Sequence, residues 1–312
     1  MTSIGNISFK GVEELAKASS TQPKTNMLES AFTKCVDIFE AIISKRAREN
    51  QHLNKILASS SDPYDDEKVW KLLSKEVHKI GEDNFPEYYD ILQNAFRGLG
   101  SQFTGRVKEQ DSVLAKLTKR KDNILLLGQN ILDNVPDLYG CKLVTNGKPG
   151  EIEKAVQTIE KLIDSGEVLP SHFINHGKNP YLNNDQITRL INKGFSHSEI
   201  IEKKEGFTGI NLYFRDKFDT STLELQITGD KTNSVNLKEH FFYNFKTKGA
   251  ATEHGVVNEK FQSIFEAMKQ DDIKAYSDYI DRCYLYTRAQ EMGQKSEKPK
   301  LPEGLNKALE LI

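Results

Sequence analysis

The sequence predicts an α/β core held between helical flanks, and three observations carry that expectation. Apolar residues recur every three or four positions through roughly the first hundred residues, and they do so again after residue 250. Between these stretches, short apolar-rich runs bounded by Pro, Gly and Asn read as strands. The chain has 312 residues, 37% of them hydrophobic. That allows one large domain or two modest ones and excludes wholesale disorder.

The elements follow in order. Residues 1–25 are polar and rich in Ser, Thr, Lys and Gln. From Met27, the spacing of Leu28, Phe32, Cys35, Val36, Phe39, Ile42 and Ile43 predicts a helix, continued by Leu53, Ile56 and Leu57. Ser59 to Pro63 breaks it and offers capping residues for the next helix. Val69, Trp70, Leu72, Leu73, Val77 and Ile80 predict a second helix. Tyr88, Tyr89, Ile91, Leu92, Ala95 and Phe96 predict a third, ended by Gly98 and Gly100. Leu138 to Val144 reads as a strand between Pro136 and the Asn146-Gly147 turn. Glu151 to Ile163 is an amphipathic helix, and Ile210–Phe214 and Thr222–Thr228 are two more strands. Val256 to Met268 and Ile273 to Tyr284 return to helical spacing. The expected organisation is therefore a helical region over 1–95, a mixed α/β region over 96–250 and a helical region over 251–312.

Charge and cysteine content narrow the function classes. Lys+Arg 43 against Asp+Glu 45 gives a formal net charge of -2, which excludes a globally basic, duplex-coating protein but leaves room for a local basic patch. Cys35, Cys141 and Cys283 stand far apart, against a disulfide framework or a thiolate zinc site. No stretch approaches the ~18 apolar residues of a membrane span, and the first residues lack a signal-peptide pattern. The expected location is cytoplasmic; a protein delivered into another cell as an effector would look the same.

Two features could carry chemistry. In Thr222–Thr228, Leu223, Leu225 and Ile227 fall on one face and Thr222, Glu224, Gln226 and Thr228 on the other. Such a strand is what any half-solvated sheet presents. It is also what a cleft needs if Asp137, at the mouth of the preceding strand, opens on the same space. Two carboxylates could then share Mg2+, which accepts few protein ligands when it also carries substrate phosphates. Between Arg106 and Lys121 lie six basic residues, Arg106, Lys108, Lys116, Lys119, Arg120 and Lys121, against two acidic ones, Glu109 and Asp111. On a helix capped by Asp111, Ser112, Lys116 and Lys119 cluster on one side, near backbone N–H groups that attract phosphate. A solvated basic face has the same composition. The lone histidines His172, His176 and His197 read as surface or core residues rather than ligands.

The succession Gly105-Arg106-x-Lys108, Ser112, Lys116, Lys119-Arg120-Lys121, Asp137-Leu138-Tyr139-Gly140-Cys141-Lys142, Gly206-Phe207-Thr208-Gly209-Ile210-Asn211, Leu223-Glu224-Leu225-Gln226-Ile227 and Glu239-His240 with Phe245-Lys246 resembles the synthetase domain of the RelA/SpoT family, over about half the chain. These enzymes make the alarmones (p)ppGpp. The resemblance implies a mixed sheet with helices around it, of the nucleotidyltransferase style. It also implies transfer of the β,γ-pyrophosphate of ATP to a ribose hydroxyl of an acceptor nucleotide. By the same resemblance Arg106, Lys108, Ser112 and Lys116, with Lys119 and Lys142, would bind ATP. Asp137 and Glu224 would hold Mg2+, and Asp137, Glu224 and Gln226 would be catalytic. Phe207, Asn211 and Lys246 would meet the acceptor.

The chain also departs from the pattern. Phe207 keeps the ring of the family's base-stacking tyrosine without its hydroxyl, Asn211 replaces a histidine, and Lys142 replaces an arginine, a point charge in place of a fork. The donor half looks kept and the acceptor half rebuilt, so the acceptor reads as a guanine nucleotide, an adenine nucleotide or the 3′ end of tRNA. The hydrolase signature is missing and no His-Asp dipeptide occurs, so no alarmone hydrolase activity is expected. A different class of reading keeps the fold without the chemistry, as a nucleotide sensor or protein-interaction module. In either reading the N-terminal helices complete the core or meet a regulatory protein or antitoxin.

Overall fold

Strand alternation in the middle of the chain builds the scaffold. A computed structural model describes residues 47–176, 180–197, 208–216, 222–253 and 256–312. The helix expected from Met27 to Ile43, with Cys35, lies outside the described residues. The chain divides at Gln51, and His52–Ile312 form one unit that contains the whole sheet.

Helix α1 (Glu67–Ala95) starts at Asp66, whose Oδ1 accepts from the N–H groups of Lys68 and Val69 at 3.0 and 3.4 Å. The sequence predicts two helices here, yet the structure forms one of 29 residues with Pro86 inside. A proline costs an internal hydrogen bond. Aromatic packing around it holds the helix together: Phe85 and Tyr88 meet Tyr139, and Tyr89 and Phe96 meet Phe103. Strand β1 (Gln102–Val107) comes next, then α2 (Gln110–Lys119) and the short α3 (Lys121–Leu125). Helix α2 begins at Glu109, not at Asp111, because the chain leaves β1 directly into the turn; Asp111 sits inside the first turn, and Ser112 is the third helical residue.

Strand β2 (Tyr139–Thr145), helix α4 (Pro149–Asp164), strand β3 (Val168–His176), helix α5 (Asn184–Asn192), strand β4 (Ser196–His197), strand β5 (Gly209–Asp216) and strand β6 (Thr222–Gly229) complete the middle. The strands form one mixed sheet in the order β1-β2-β6-β5-β3-β4. β2 runs parallel to β6, and β3 to β4; β1, β5 and β3 pair antiparallel with β2, β6 and β5 in turn. The expected mixed sheet flanked by helices is the architecture observed.

One face of this sheet is apolar across every long strand. Phe103, Tyr139, Cys141, Leu143, Phe173, Ile210, Leu212, Phe214, Leu223, Leu225 and Ile227 belong to the main core, together with Val69, Trp70, Leu73 and Val77 of α1 and Ile152, Val156 and Ile159 of α4. α1 presses so closely on β1 that a Cβ on Gly105 would stand 2.5 Å from the rings of Phe85 and Tyr89. The opposite face carries Arg106, Lys142, Glu224, Gln226, Asn211, Tyr213 and His172.

After β6 the chain enters α6 (Asp230–Lys248), a two-stranded ladder of β7 (Thr252–Glu253) and β8 (Val256–Val257), then α7 (Glu259–Glu266) and α8 (Gln270–Glu291). The sequence predicts helix from Val256. The two β-branched valines pair as a strand instead, and Asn258 caps α7 by accepting from the Phe261 N–H at 3.2 Å. A second apolar cluster joins α6, α7 and α8 through Phe242, Phe265, Tyr276, Tyr279 and Ile280, and the C-terminal Leu309 and Leu311 fold onto it.

The end of α8 is tied to the sheet by a buried carboxylate. Glu291 Oε2 accepts from the Tyr181 hydroxyl at 2.7 Å, and Oε1 accepts from the Thr232 N–H at 2.9 Å in the first turn of α6. Arg288 lies 3.8 Å over the Tyr181 ring and donates to the Gly147 carbonyl at 2.6 Å. Gly147 (φ +71) and Gly229, at the ends of β2 and β6, leave the space that this carboxylate fills.

Candidate active site

The polar face of the sheet is organised by its register. Arg106 pairs with Gly140, Gly140 with Glu224, Glu224 with Tyr213 and Tyr213 with His172. One line of cross-strand neighbours therefore runs guanidinium, bare backbone, carboxylate, phenol, imidazole, at about 4.8 Å per strand. The adjacent line on the same face runs Thr104, Lys142, Gln226, Asn211 and Ile174. Alternation dictates this arrangement: each of these residues is flanked in sequence by a residue on the apolar face.

Asp137 sits just before β2, half-buried. Its Oδ2 lies 2.9 Å from Lys108 Nζ and its Oδ1 2.5 Å from Lys116 Nζ. Lys108 leaves the end of β1 and Lys116 comes from α2, which buries Val113 and Leu117 against the core. Burial opposes ionisation of Asp137, yet the two ammonium groups overcome it and hold the carboxyl below its ordinary range. Lys116 is lowered, first by burial and then by Lys108 and Arg120, against the pull of Asp137.

Glu224 is held from the neighbouring strand. Asn211 Nδ2 and the Tyr213 hydroxyl both donate to its Oε1, at 2.8 and 2.7 Å. The Tyr213 phenol is pushed well above its ordinary value by burial, then by the charge and hydrogen bond of Glu224; Asp137 adds to the same effect. The phenol thus lies in the field of both carboxylates. His172 stacks on Tyr213 at 4.2 Å and 10°, its own pKa lowered by burial with Glu224 pulling upward. Lys142 is pushed down to about 8 by burial, with the neighbouring Arg106 charge acting in the same direction.

The remaining candidates divide. Gln226 is half-buried between Lys142 and Asn211 on the second line. Ser112 is half-buried on α2, while Lys119 and Arg106 are exposed. Arg120 and Lys121 of the basic run are structural: Arg120 donates to the Asn134 carbonyl at 3.1 Å, and Lys121 donates to the Tyr64 carbonyl at 2.8 Å beneath the Tyr64 and Trp70 rings. Lys246 stands in the last turn of α6 with its ammonium 5.3 Å from the Phe242 ring centre. Its charge acts on Glu239, which burial pushes up to about 7. Phe207 lies outside the described residues. Tyr213 and His172 are the functional candidates that sequence reading missed. Tyr213 was within reach, since it shares a strand face with Asn211. His172 was not, because β3 carries Pro170 and a register shift between Pro170 and His172.

Among the described residues, no group of three or more His, Cys, Asp and Glu side chains could hold a metal ion. The donor set suits a cation that arrives with its own ligands. Asp137 Oδ1 is buried without a well-formed hydrogen bond despite its contact with Lys116, and the Asp137 charge reaches Tyr213, the hydrogen-bond partner of Glu224.

No protein-family model matches the chain, and no curated protein matches it. Solved structures similar to it include a protein of Streptococcus mutans UA159, at 14% identity over 69% of this chain and 89% of that one, with a TM-score of 0.39. A GTP pyrophosphokinase family protein from Streptococcus pneumoniae aligns at 15% identity over 66% and 94% of the two chains, with a TM-score of 0.35. The small alarmone synthetase 1 from Bacillus subtilis, bound to its product pppGpp, aligns at 15% identity over 72% and 93%, with a TM-score of 0.37.

Proposed function

We propose that this protein is an ATP-dependent pyrophosphokinase that transfers the β,γ-pyrophosphate of ATP to a ribose hydroxyl of an acceptor, either a guanine or adenine nucleotide or the 3′ end of a tRNA. The observation that carries this reading is the pair of adjacent register lines that set Arg106 of β1 and Lys142 of β2 on the same sheet face as Glu224 of β6, with Asp137 and its two lysines just ahead of β2. Arg106, Lys108, Lys116 and Lys142, with Ser112 and Lys119 on α2, bind the ATP phosphates, and the bare backbone of Gly140 leaves room between them. Mg2+ held by Asp137 and Glu224 would neutralise the charge that builds up on the transferred group. Positioning and neutralisation of this kind are what phosphoryl transfer asks of a protein.

In the step itself, the acceptor hydroxyl oxygen bonds to the β-phosphorus of ATP. The bond from that phosphorus to the bridging oxygen of the α-phosphate breaks, AMP leaves, and Glu224 takes the hydroxyl proton. Asn211 and Gln226 line the acceptor side of the same face.

One feature favours a second reading. Asp137 is already neutralised by two lysines, an arrangement that a protein binding nucleotide without turnover would also keep. ATP labelled at the γ-phosphate, incubated with Mg2+ and GDP, GTP, AMP, ADP or bulk tRNA, separates the two. Labelled acceptor that disappears in Asp137→Ala and Glu224→Ala is the expected result. Nucleotide binding with no labelled acceptor in any mixture would leave the sensor.

A further inference from the structure

We propose that Tyr213 is a positioning residue of the pyrophosphoryl transfer, fixing through its hydroxyl which oxygen of Glu224 faces the acceptor; this rests on the pyrophosphokinase function proposed for the site. Glu224 and Tyr213 are direct cross-strand neighbours, so the phenol reaches the carboxylate without bending either strand. Both donors, Tyr213 OH and Asn211 Nδ2, converge on the same oxygen, Oε1, at 2.7 and 2.8 Å.

Two hydrogen bonds to one oxygen remove the rotation of the carboxylate about its last bond. Oε2 is left, among the described residues, as the oxygen turned away from β5. A proton acceptor must lie within about 3 Å of the hydroxyl it serves, so a carboxylate free to turn would spend part of its time misdirected. The Tyr213 ring is in turn braced by His172, stacked parallel at 4.2 Å. Because the chain His172, Tyr213, Glu224 follows one register line, the brace and the acid are set by the same backbone pairing.

The test is a kinetic cycle on the full chain with Tyr213→Phe, Glu224→Gln and the double variant. Tyr213→Phe keeps the ring and its stack and removes only the hydroxyl. We expect kcat to fall about 10- to 100-fold with KM for ATP within about twofold, and the double variant to be no slower than Glu224→Gln alone. A Tyr213→Phe protein as fast as wild type, or a double variant slowed by the product of the two single effects, would overturn the proposal while leaving the pyrophosphokinase reading intact. A wild type that makes no product with any acceptor would overturn both.

Discussion

Glu291 and Tyr181 stand 110 residues apart in sequence and share a buried hydrogen bond of 2.7 Å. The carboxylate also caps the first turn of α6 and faces Arg288, so a single side chain ties the last helix to the ends of β2 and β6. Glu291→Ala removes the acid that faces a buried guanidinium and should cost about 3–5 kcal/mol. Urea denaturation followed by circular dichroism measures it. A loss below about 1 kcal/mol would mean that the clamp contributes little.

The same pocket makes Gly229 restrictive for reasons of space alone, since its backbone is ordinary extended chain, φ −80. A methyl group there would run into the Glu291 carboxylate. Gly229→Ala should destabilise by about 1–3 kcal/mol. The Gly229→Ala, Glu291→Ala pair should be less than additive, because the second change removes what the first collides with.

Asp137 gives stability a pH signature. Its folded carboxyl titrates below its ordinary value of about 3.9. The two ion pairs are therefore fully present above that value and are lost as pH falls through the lowered folded value. As pH falls from about 5 through that lowered value, wild type should lose stability more steeply than Asp137→Asn. Parallel profiles in urea midpoint would show that the lysines do not hold the acid in solution.

Lys142 behaves oppositely. Its folded value of about 8 lies below the ordinary 10.4 or so of a lysine. Between these values the unfolded chain holds a proton that the folded chain has released, so this group makes stability rise with pH across that window. Reductive methylation with 13C-formaldehyde and NMR titration should give a dimethylamine resonance with a midpoint near about 8, and ATP should raise it by bringing phosphate charge alongside. A midpoint above 10 or so in the free protein would contradict the burial that sets it.

Gly105 tests how closely α1 covers β1. Gly105→Ala places a carbon 2.5 Å from the Phe85 and Tyr89 rings, and we expect a loss of about 1–3 kcal/mol from overpacking. A neutral change in thermal or chemical midpoint would mean that α1 rides higher on the sheet.

Much of this arrangement was legible in the chain because strands announce themselves by alternation. Leu223, Leu225 and Ile227 against Glu224 and Gln226 gave β6 and its polar face, and Leu138 to Val144 gave β2 within one residue. Where local signals and tertiary packing disagreed, packing prevailed. The apolar spacing reads as two helices, Val69 to Ile80 and Tyr88 to Phe96, yet rings on both sides of Pro86 anchor one helix, and Val256 and Val257 fit a helical spacing but pair as a strand. β3 escaped because Pro170, Ser171, His172 and Asn175 dilute its pattern, and with it went His172. The two lysines on Asp137 were both named as candidates from sequence. Their convergence on one carboxylate needed the turn from β1 into α2, which no spacing rule encodes. Lys246, chosen by resemblance, lies against Phe242 because α6 packs on α8.

The line of neighbours across the sheet also means that the site depends on frame as much as on composition. Deleting Phe214, between Tyr213 and the connection to β6, would slip the preceding part of β5 by one step against β6, turning Asn211 and Tyr213 inward among the leucines and bringing Leu212 out beside Glu224 and Ile210 out beside Gln226. Every functional side chain would still be in the chain, and the carboxylate would face hydrocarbon.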